Sequence, residues 1–101
     1  KAEDIRIIDV RRLTTVTDYF LICTGSSDMH VKTIHDVISD GILPKSKPWK
    51  VEGMDTLKWV LIDFVDMVIH IFQKEQRDYY SLERLWADGN MEIVQDNFVA
   101  D

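Results

Sequence analysis

The side chains that could do chemistry in this sequence are few and far apart. His30 and His35 are five positions apart, a helical spacing that points the two rings in different directions instead of toward one metal ion. Asp63 and His70 could supply two metal ligands, but no third ligand is evident beside them. Cys23 lies inside an apolar run, where burial would raise the pKa of its thiol. These residues predict neither a metal centre nor a nucleophilic enzyme.

One turn has the form of a phosphate-binding site. Gly25-Ser26 follows the apolar run at residues 19–24 and precedes a helical pattern, so backbone N–H groups at the helix start could cradle a nucleotide phosphate. A nucleotidyltransferase also needs two carboxylates about two positions apart on a later strand. That pair is missing, because Asp36 falls in the helical pattern and Asp63 and Asp66 lie on the two sides of a turn. An ordinary strand-to-helix turn is therefore favoured.

Hydrophobic periodicity and turn residues indicate the elements that would position these side chains. Apolar β-branched runs predict strands, and apolar residues three or four positions apart predict a helix. Pro44 and Pro48 bracket a loop, and the residues after Asp88 show no clear period. The predicted elements are strands over residues 5–10, 19–24 and 49–52, a helix over residues 31–42 with Gly41 near its end, helical turns over residues 74–80 and 81–86 with Ser81 as an N-cap, and a peripheral tail over residues 88–101.

Two further apolar runs, residues 58–64 and 67–72, are separated only by Val65-Asp66 and predict a β-hairpin with a two-residue loop. The hairpin pairs Trp59 with Phe72, Leu61 with His70, and Asp63 with Val68. One of its faces is wholly apolar and must lie on the core: Val60, Ile62, Phe64, Met67, Ile69 and Ile71.

The other face of the hairpin, which we call the mixed face, combines aromatic and aliphatic residues with a carboxylate and an imidazole. This composition favours an interface with another molecule, while the alternative is that helices cover both faces and His70 is a core histidine. His70 lies diagonal to Asp63, close enough for a hydrogen bond that would favour its protonated form. The candidate partner-binding residues are Trp59, Leu61, Asp63, Val68, His70, Phe72 and Tyr79.

Composition and charge indicate the class of partner. The 101 residues are enough for one domain, and 12 basic against 18 acidic side chains give a net charge of −6. Residues 51–101 carry 4 basic and 11 acidic side chains, a balance that could steer a basic protein surface toward this half, while the alternative is a solvated acidic surface without a partner. Bare nucleic acid is disfavoured as a direct partner. With one cysteine, no stretch of about 20 apolar residues and no secretory signal, the sequence predicts a soluble protein of a reducing compartment such as the cytoplasm.

Several separated blocks resemble, in order and spacing, the ribosomal silencing factor family, also called the Iojap family. The resemblance covers residues 4–88, with Val65 where the family usually has glycine and without the family's N-terminal helix. The blocks are Thr17-Asp18-Tyr19-Phe20, Gly25-Ser26-Ser27 with His30, Val51-Glu52-Gly53, Trp59-Val60-Leu61-Ile62-Asp63-Phe64, Asp66-Met67-Val68-Ile69-His70-Ile71-Phe72 and Arg77-Asp78-Tyr79-Tyr80-Ser81-Leu82-Glu83-Arg84-Leu85-Trp86.

The resemblance implies an α/β fold, a mixed β-sheet with flanking helices, that is nucleotidyltransferase-like but lacks the catalytic carboxylates. It implies a non-catalytic factor without cofactor or metal, and a possible homodimer. Such a factor binds the large ribosomal subunit through ribosomal protein fourteen of that subunit, blocks joining of the small subunit and thereby represses translation, while organellar relatives act in large-subunit assembly. The alternative is a nucleotide-dependent transferase with atypical ligands.

Overall fold

A six-stranded mixed sheet with helices on both faces forms the molecule, which a computed structural model describes for residues 2–42 and 50–94. The strand order is β3-β4-β5-β2-β1-β6; β2 and β5 run parallel, and the other neighbouring strands of the described sheet run antiparallel. The elements are β1 (Glu3–Asp9), β2 (Tyr19–Thr24), α1 (Asp28–Ile42), β3 (Lys50–Glu52), β4 (Trp59–Asp63), β5 (Met67–Phe72), α2 (Lys74–Tyr80), α3 (Leu82–Leu85) and β6 (Asn90–Val94). The predicted mixed α/β fold class is confirmed.

The β4–β5 hairpin has the register that its apolar pattern predicts. Leu61 lies opposite His70 in the ladder, and the N–H of Phe64 donates to the carbonyl of Met67 at 2.8 Å beyond it. Val65 adopts a φ of 76°, and the N–H of Asp66 donates to the carbonyl of Phe64 at 3.0 Å across it. A β-branched residue is strained at this φ, which explains why glycine suits this position of the turn.

The apolar face of the hairpin lies on the core, as predicted, and the structure shows that α1 covers it. Val60, Ile62, Ile69 and Ile71 are buried there together with Val31 and Ile34 from the helix and Cys23 from β2. Gly25 lets the helix approach, because a Cβ at this position would lie 2.7 Å from Cγ2 of Val31. The glycine of the predicted strand-to-helix turn therefore has a packing role.

The opposite face of the sheet carries a second core cluster. Ile8, Val10, Ile22 and Phe72 are fully buried, and Phe20, Trp59, Leu82 and Trp86 pack against them. Leu82 belongs to α3, and Trp86 directly follows that helix. Helices of this chain therefore cover a large part of the face to which the mixed face belongs.

The C-terminal part differs from the sequence prediction in two places. Residues 90–94 form β6, which pairs with β1 from Asp9↔Asn90 to Ile5↔Val94, so this part of the predicted tail is an edge strand. Ser81 stands at the N-cap position of α3 but makes no capping bond; it has a φ of 49°, and its hydroxyl donates to the carbonyl of Asp78 at 2.7 Å. The predicted loop between Pro44 and Pro48 and the tail beyond residue 94 lie outside the described residues.

Candidate partner-binding surface

The mixed face is only partly open to a partner. The prediction of an exposed face is wrong for Val68, His70 and Phe72, which are 6%, 5% and 0% exposed. Trp59, Leu61 and Asp63 are half-buried. The three residues of β4 therefore keep accessible surface, while the three residues of β5 belong to the interior.

Aromatic packing explains why the β5 side is closed. The ring of Trp59 stacks on Phe72 at 4.8 Å between centroids and contacts Tyr80 of α2 at 4.6 Å. Phe20 packs edge-on against His70 at 5.3 Å and against Trp86 at 5.2 Å. The apolar period of the hairpin is the same whether a partner or the chain's own helices cover it, so the sequence pattern did not distinguish the two.

His70 orients Trp59 and does not pair with Asp63. Its Nδ1 accepts a hydrogen bond from the indole N–H of Trp59 at 3.0 Å. Burial lowers the pKa of His70 to about 4, so the ring is neutral at physiological pH and the predicted protonated form is wrong. Within the described residues, its buried Nε2 has no hydrogen-bond partner. The buried His70 therefore fixes the orientation of the half-buried Trp59 indole on the neighbouring strand β4.

Asp63 instead stabilises the hairpin turn and belongs to an acidic margin. Its Oδ1 accepts a hydrogen bond from the N–H of Val65 at 2.8 Å. Across the β3–β4 ladder, Glu52 lies opposite Leu61 and Lys50 opposite Asp63, and Lys50 and Glu52 form an ion pair of 2.9 Å. Leu61 is therefore an apolar side chain placed beside two carboxylates and one ammonium group.

Two tyrosines at the end of α2 extend this surface. Tyr79 is 82% exposed, and Tyr80 is 44% exposed while its ring packs on Trp59. The two tyrosine rings meet edge-to-face at 5.0 Å. The sequence analysis included Tyr79 among the candidate residues but not Tyr80 or Glu52. Glu52 had a usable signal, because it directly precedes the Gly53 turn that leads into β4 and therefore had to lie beside that strand. We call the set Glu52, Trp59, Leu61, Asp63, Tyr79 and Tyr80 the aromatic–acidic surface.

The strand-to-helix turn near Gly25 uses its polar groups internally. The Oγ of Ser27 accepts from the N–H of His30 at 3.1 Å, and Nδ1 of His30 accepts from the N–H of Ser26 at 2.8 Å. Asp28 follows at the helix start, where hydrogen bonds from Lys58 and Gln73 hold the pKa of its carboxyl below the usual range. A carboxylate at this position repels a phosphate, so the arrangement disfavours nucleotide binding.

The remaining reactive side chains lie in separate environments. Burial raises the pKa of the Cys23 thiol to about 12. His35 contacts Asp36 at 3.0 Å, away from the bonds that His30 makes with the serine turn. In the described ranges 2–42 and 50–94, no group of three or more His, Cys, Asp and Glu side chains is placed to hold a metal ion, and no helix could span a membrane.

Known proteins match this chain over most of its length. The family model described as "Ribosomal silencing factor during starvation" matches residues 1–100. The ribosomal silencing factor RsfS of Bacillus subtilis is 46% identical over 94 residues, which cover 88% of this chain and 76% of that protein. The mouse protein named "Mitochondrial assembly of ribosomal large subunit protein 1" is 38% identical over 90 residues, which cover 85% of this chain and 40% of the mouse protein.

The fold is also that of a solved structure. A crystal structure of a protein from Chromobacterium violaceum superposes with a TM-score of 0.83 at 28% identity, covering 100% of this chain and 81% of that one. The family model spans all six strands and both faces of the sheet, including the hairpin and the tyrosines of α2. The chain therefore belongs to the RsfS family of ribosomal silencing factors.

Proposed function

We propose that this protein binds the large ribosomal subunit through ribosomal protein fourteen of that subunit and, by its bulk, blocks joining of the small subunit and represses translation. The family membership supports a role at the ribosome, and the mouse relative is named for assembly of the mitochondrial large subunit. The observation that carries the proposal is the aromatic–acidic surface, which has the composition of a protein-binding site.

The chemistry of this surface fits a basic protein with an apolar contact. Leu61 and the exposed parts of Trp59 and Tyr80 offer apolar area, while Glu52 and Asp63 offer carboxylates to Lys or Arg side chains of the partner. The chain carries a net charge of −6, which favours approach of a basic protein and opposes direct contact with RNA phosphates.

Trp59 has the properties of an anchor residue. Its ring is held between Phe72 and Tyr80, and its N–H is bonded to His70, so little side-chain freedom is lost when a partner covers it. Rigid aromatic residues at the centre of an interface typically contribute about 2 kcal/mol or more to binding. We therefore assign Trp59 and Leu61 to the centre of the interface and the carboxylates to its margin.

Co-sedimentation with separated ribosomal subunits tests the proposal. We expect wild-type protein to sediment with the large subunit and not with the small subunit, and Leu61→Ala and Asp63→Lys to weaken this binding at least tenfold. Asp40→Lys is the matched charge control, because Asp40 is exposed on α1 at the opposite side of the sheet. Equal binding to both subunits, or an equal loss for Asp40→Lys and Asp63→Lys, would contradict the proposal.

The step beyond binding needs its own measurement. Wild-type protein should inhibit joining of the small subunit to the large subunit, and inhibition should follow occupancy of the large subunit. Because charges at the margin of an interface act mainly on the rate of encounter, association with the large subunit should slow as salt concentration rises. Full occupancy of the large subunit without inhibition of joining would refute the blocking role and leave the binding role intact.

A further inference from the structure

Arg77 is a buried arginine that links its own helix to three other elements. Its side chain is 6% exposed, although it belongs to the short helix α2. Its Nη1 donates to the carbonyl of Asp4 in β1 and to Oγ1 of Thr24 in β2, both at 2.7 Å. Its Nε and Nη2 donate to Oε2 of Glu83 in α3 at 3.1 and 2.8 Å. One guanidinium group therefore joins the sheet to both C-terminal helices.

The pair of Arg77 and Glu83 spans a strained corner of the chain, by which we mean the junction between α2 and α3 at Ser81. Ser81, between α2 and α3, has a left-handed backbone with φ 49° and ψ 52°, and its side chain makes no N-cap hydrogen bond to α3. A non-glycine residue persists in this conformation only where surrounding contacts hold it. Asp4, whose carbonyl accepts from Arg77, also has a positive φ of 47°. The hydrogen bonds of the guanidinium group therefore lie beside two strained backbone positions, Asp4 and Ser81, and help to hold them in place.

The same corner determines where the tyrosines lie. Tyr80 is three positions after Arg77 and directly before Ser81, and its ring packs on Trp59 at 4.6 Å. Leu82 and Trp86, after the corner, pack on the second core cluster. A change in the angle between α2 and α3 would therefore move Tyr80 relative to Trp59 while Leu82 and Trp86 stay anchored.

We propose that the ion pair of the buried Arg77 with the half-buried Glu83 is a latch that positions Tyr80 against Trp59 and so completes the aromatic–acidic surface for its ribosomal partner. Both residues are positioning residues: the side chain of Arg77 is only 6% exposed, and the carboxylate of Glu83 accepts hydrogen bonds from its guanidinium. The inference about binding rests on the proposed function, whereas the effect on Tyr80 belongs to the free protein.

The geometry requires an arginine. A guanidinium offers five N–H donors in a planar fork, which here serve a carbonyl, a hydroxyl and a carboxylate at once. A lysine at this position keeps the positive charge but cannot serve all three acceptors in the same geometry. Arg77→Lys therefore removes the fork and retains the charge, and Glu83→Asp withdraws the carboxylate by one methylene as a second, independent variant.

The first experiment uses the free protein and does not depend on the ribosome. In NMR spectra, Arg77→Lys and Glu83→Asp should weaken the nuclear Overhauser contacts between the rings of Tyr80 and Trp59. The contact between Phe20 and Trp86 should persist and serves as the internal control for folding. Lys74→Ala is the matched variant on the same helix, because it breaks an exposed ion pair with Asp78 and should leave the Tyr80 contacts unchanged. Unchanged Tyr80 contacts in both latch variants would overturn the proposal.

The second experiment is a double-mutant cycle in binding to the large subunit. Arg77→Lys should weaken binding about tenfold in the wild-type background and less than twofold in the Tyr80→Ala background, because the latch acts through Tyr80. In the Leu61→Ala background the tenfold effect should persist. Equal effects of Arg77→Lys in all three backgrounds would show a merely structural role and overturn the proposal. Absence of wild-type binding would refute the proposed function, while the NMR result would still decide the latch.

Discussion

Trp59 and His70 are joined across the β4–β5 ladder by a hydrogen bond of 3.0 Å from the indole N–H to Nδ1. Because Nδ1 accepts, the neutral ring carries its proton on Nε2, which lies buried without a partner among the described residues. The bond fixes the indole of Trp59, which lies between the interior and the aromatic–acidic surface. It also makes the protonation state of His70 a determinant of stability.

Stability should fall as His70 becomes protonated. The pKa of His70 is lowered from 6.5 to about 4 by burial, so between these values the unfolded chain binds a proton that the folded chain does not. The stability that the protein has with a neutral His70 is therefore fully present above pH 6.5. As pH falls from 6.5 toward 4, the free energy of unfolding decreases by up to about 1.4 kcal/mol per pH unit. Urea unfolding at several pH values would measure it. In His70→Asn, which cannot titrate, this part of the pH dependence should disappear; identical profiles in both proteins would contradict the prediction.

Trp59→Phe should destabilise the fold beyond the loss of ring area. The substitution leaves Nδ1 of His70 buried without its donor, which costs about 1–3 kcal/mol. Trp86→Phe is the matched control, because Trp86 belongs to the same cluster and its indole N–H makes no hydrogen bond within the described residues. The free energies of unfolding from urea titrations should differ by about the cost of the unsatisfied nitrogen. Equal losses would show that the hydrogen bond contributes nothing.

The hairpin could be predicted in full because its register is overdetermined. A two-residue loop and a side-chain period of two leave one pairing that puts every polar group on a single face. The pairs Trp59 with Phe72 and Asp63 with Val68 follow from that condition and are confirmed. The elements that cover the mixed face could not be predicted in the same way, because they depend on tertiary packing. The helices α2 and α3 are too short for their sequence pattern to show which side of each is buried.

Other features had weaker signals. Asn90 to Ile93 alternate polar and apolar residues over only four positions, which is short of a clear strand period, and the pairing of residues 90–94 with β1 decides the structure. Arg77 has the sequence appearance of an exposed helix residue, because two of its three acceptor residues, Asp4 and Thr24, are more than 50 positions away. The burial of this arginine can therefore be recognised only in the folded structure, where the sheet brings its acceptors together.

Val65→Gly should stabilise the protein by about 1 kcal/mol. Val65 has a φ of 76° at the tip of the hairpin and is exposed, so glycine relieves backbone strain with little loss of buried area. Val51→Gly is the control, since Val51 is an exposed valine of β3 that has no positive φ. Glycine there should destabilise by about 0.5–1 kcal/mol. Thermal unfolding of both variants measures the effect, and destabilisation by Val65→Gly would contradict the strain argument.

Two glycines should respond oppositely to alanine. At Gly25 a Cβ would lie 2.7 Å from Val31, so Gly25→Ala should cost about 1–3 kcal/mol through overpacking between β2 and α1. At Gly41, within α1, a Cβ meets nothing within 4 Å, and Gly41→Ala should stabilise by about 0.5–1 kcal/mol through helix propensity. Unfolding free energies of the two variants test both signs. A neutral Gly25→Ala would show that the close approach of the helix is unimportant.

Nucleoside triphosphates with magnesium should not bind saturably at the start of α1. The N–H groups of Ser26 and His30 are already bonded to the side chains of His30 and Ser27, and the carboxylate of Asp28 lies at the first turn. A phosphate would have to displace these bonds and approach a negative charge. Titration followed by amide chemical shifts would measure binding at this turn, and Asp28→Asn would test the electrostatic part. Saturable shifts confined to the turn in wild-type protein would instead support the nucleotide-dependent transferase as the function of this fold.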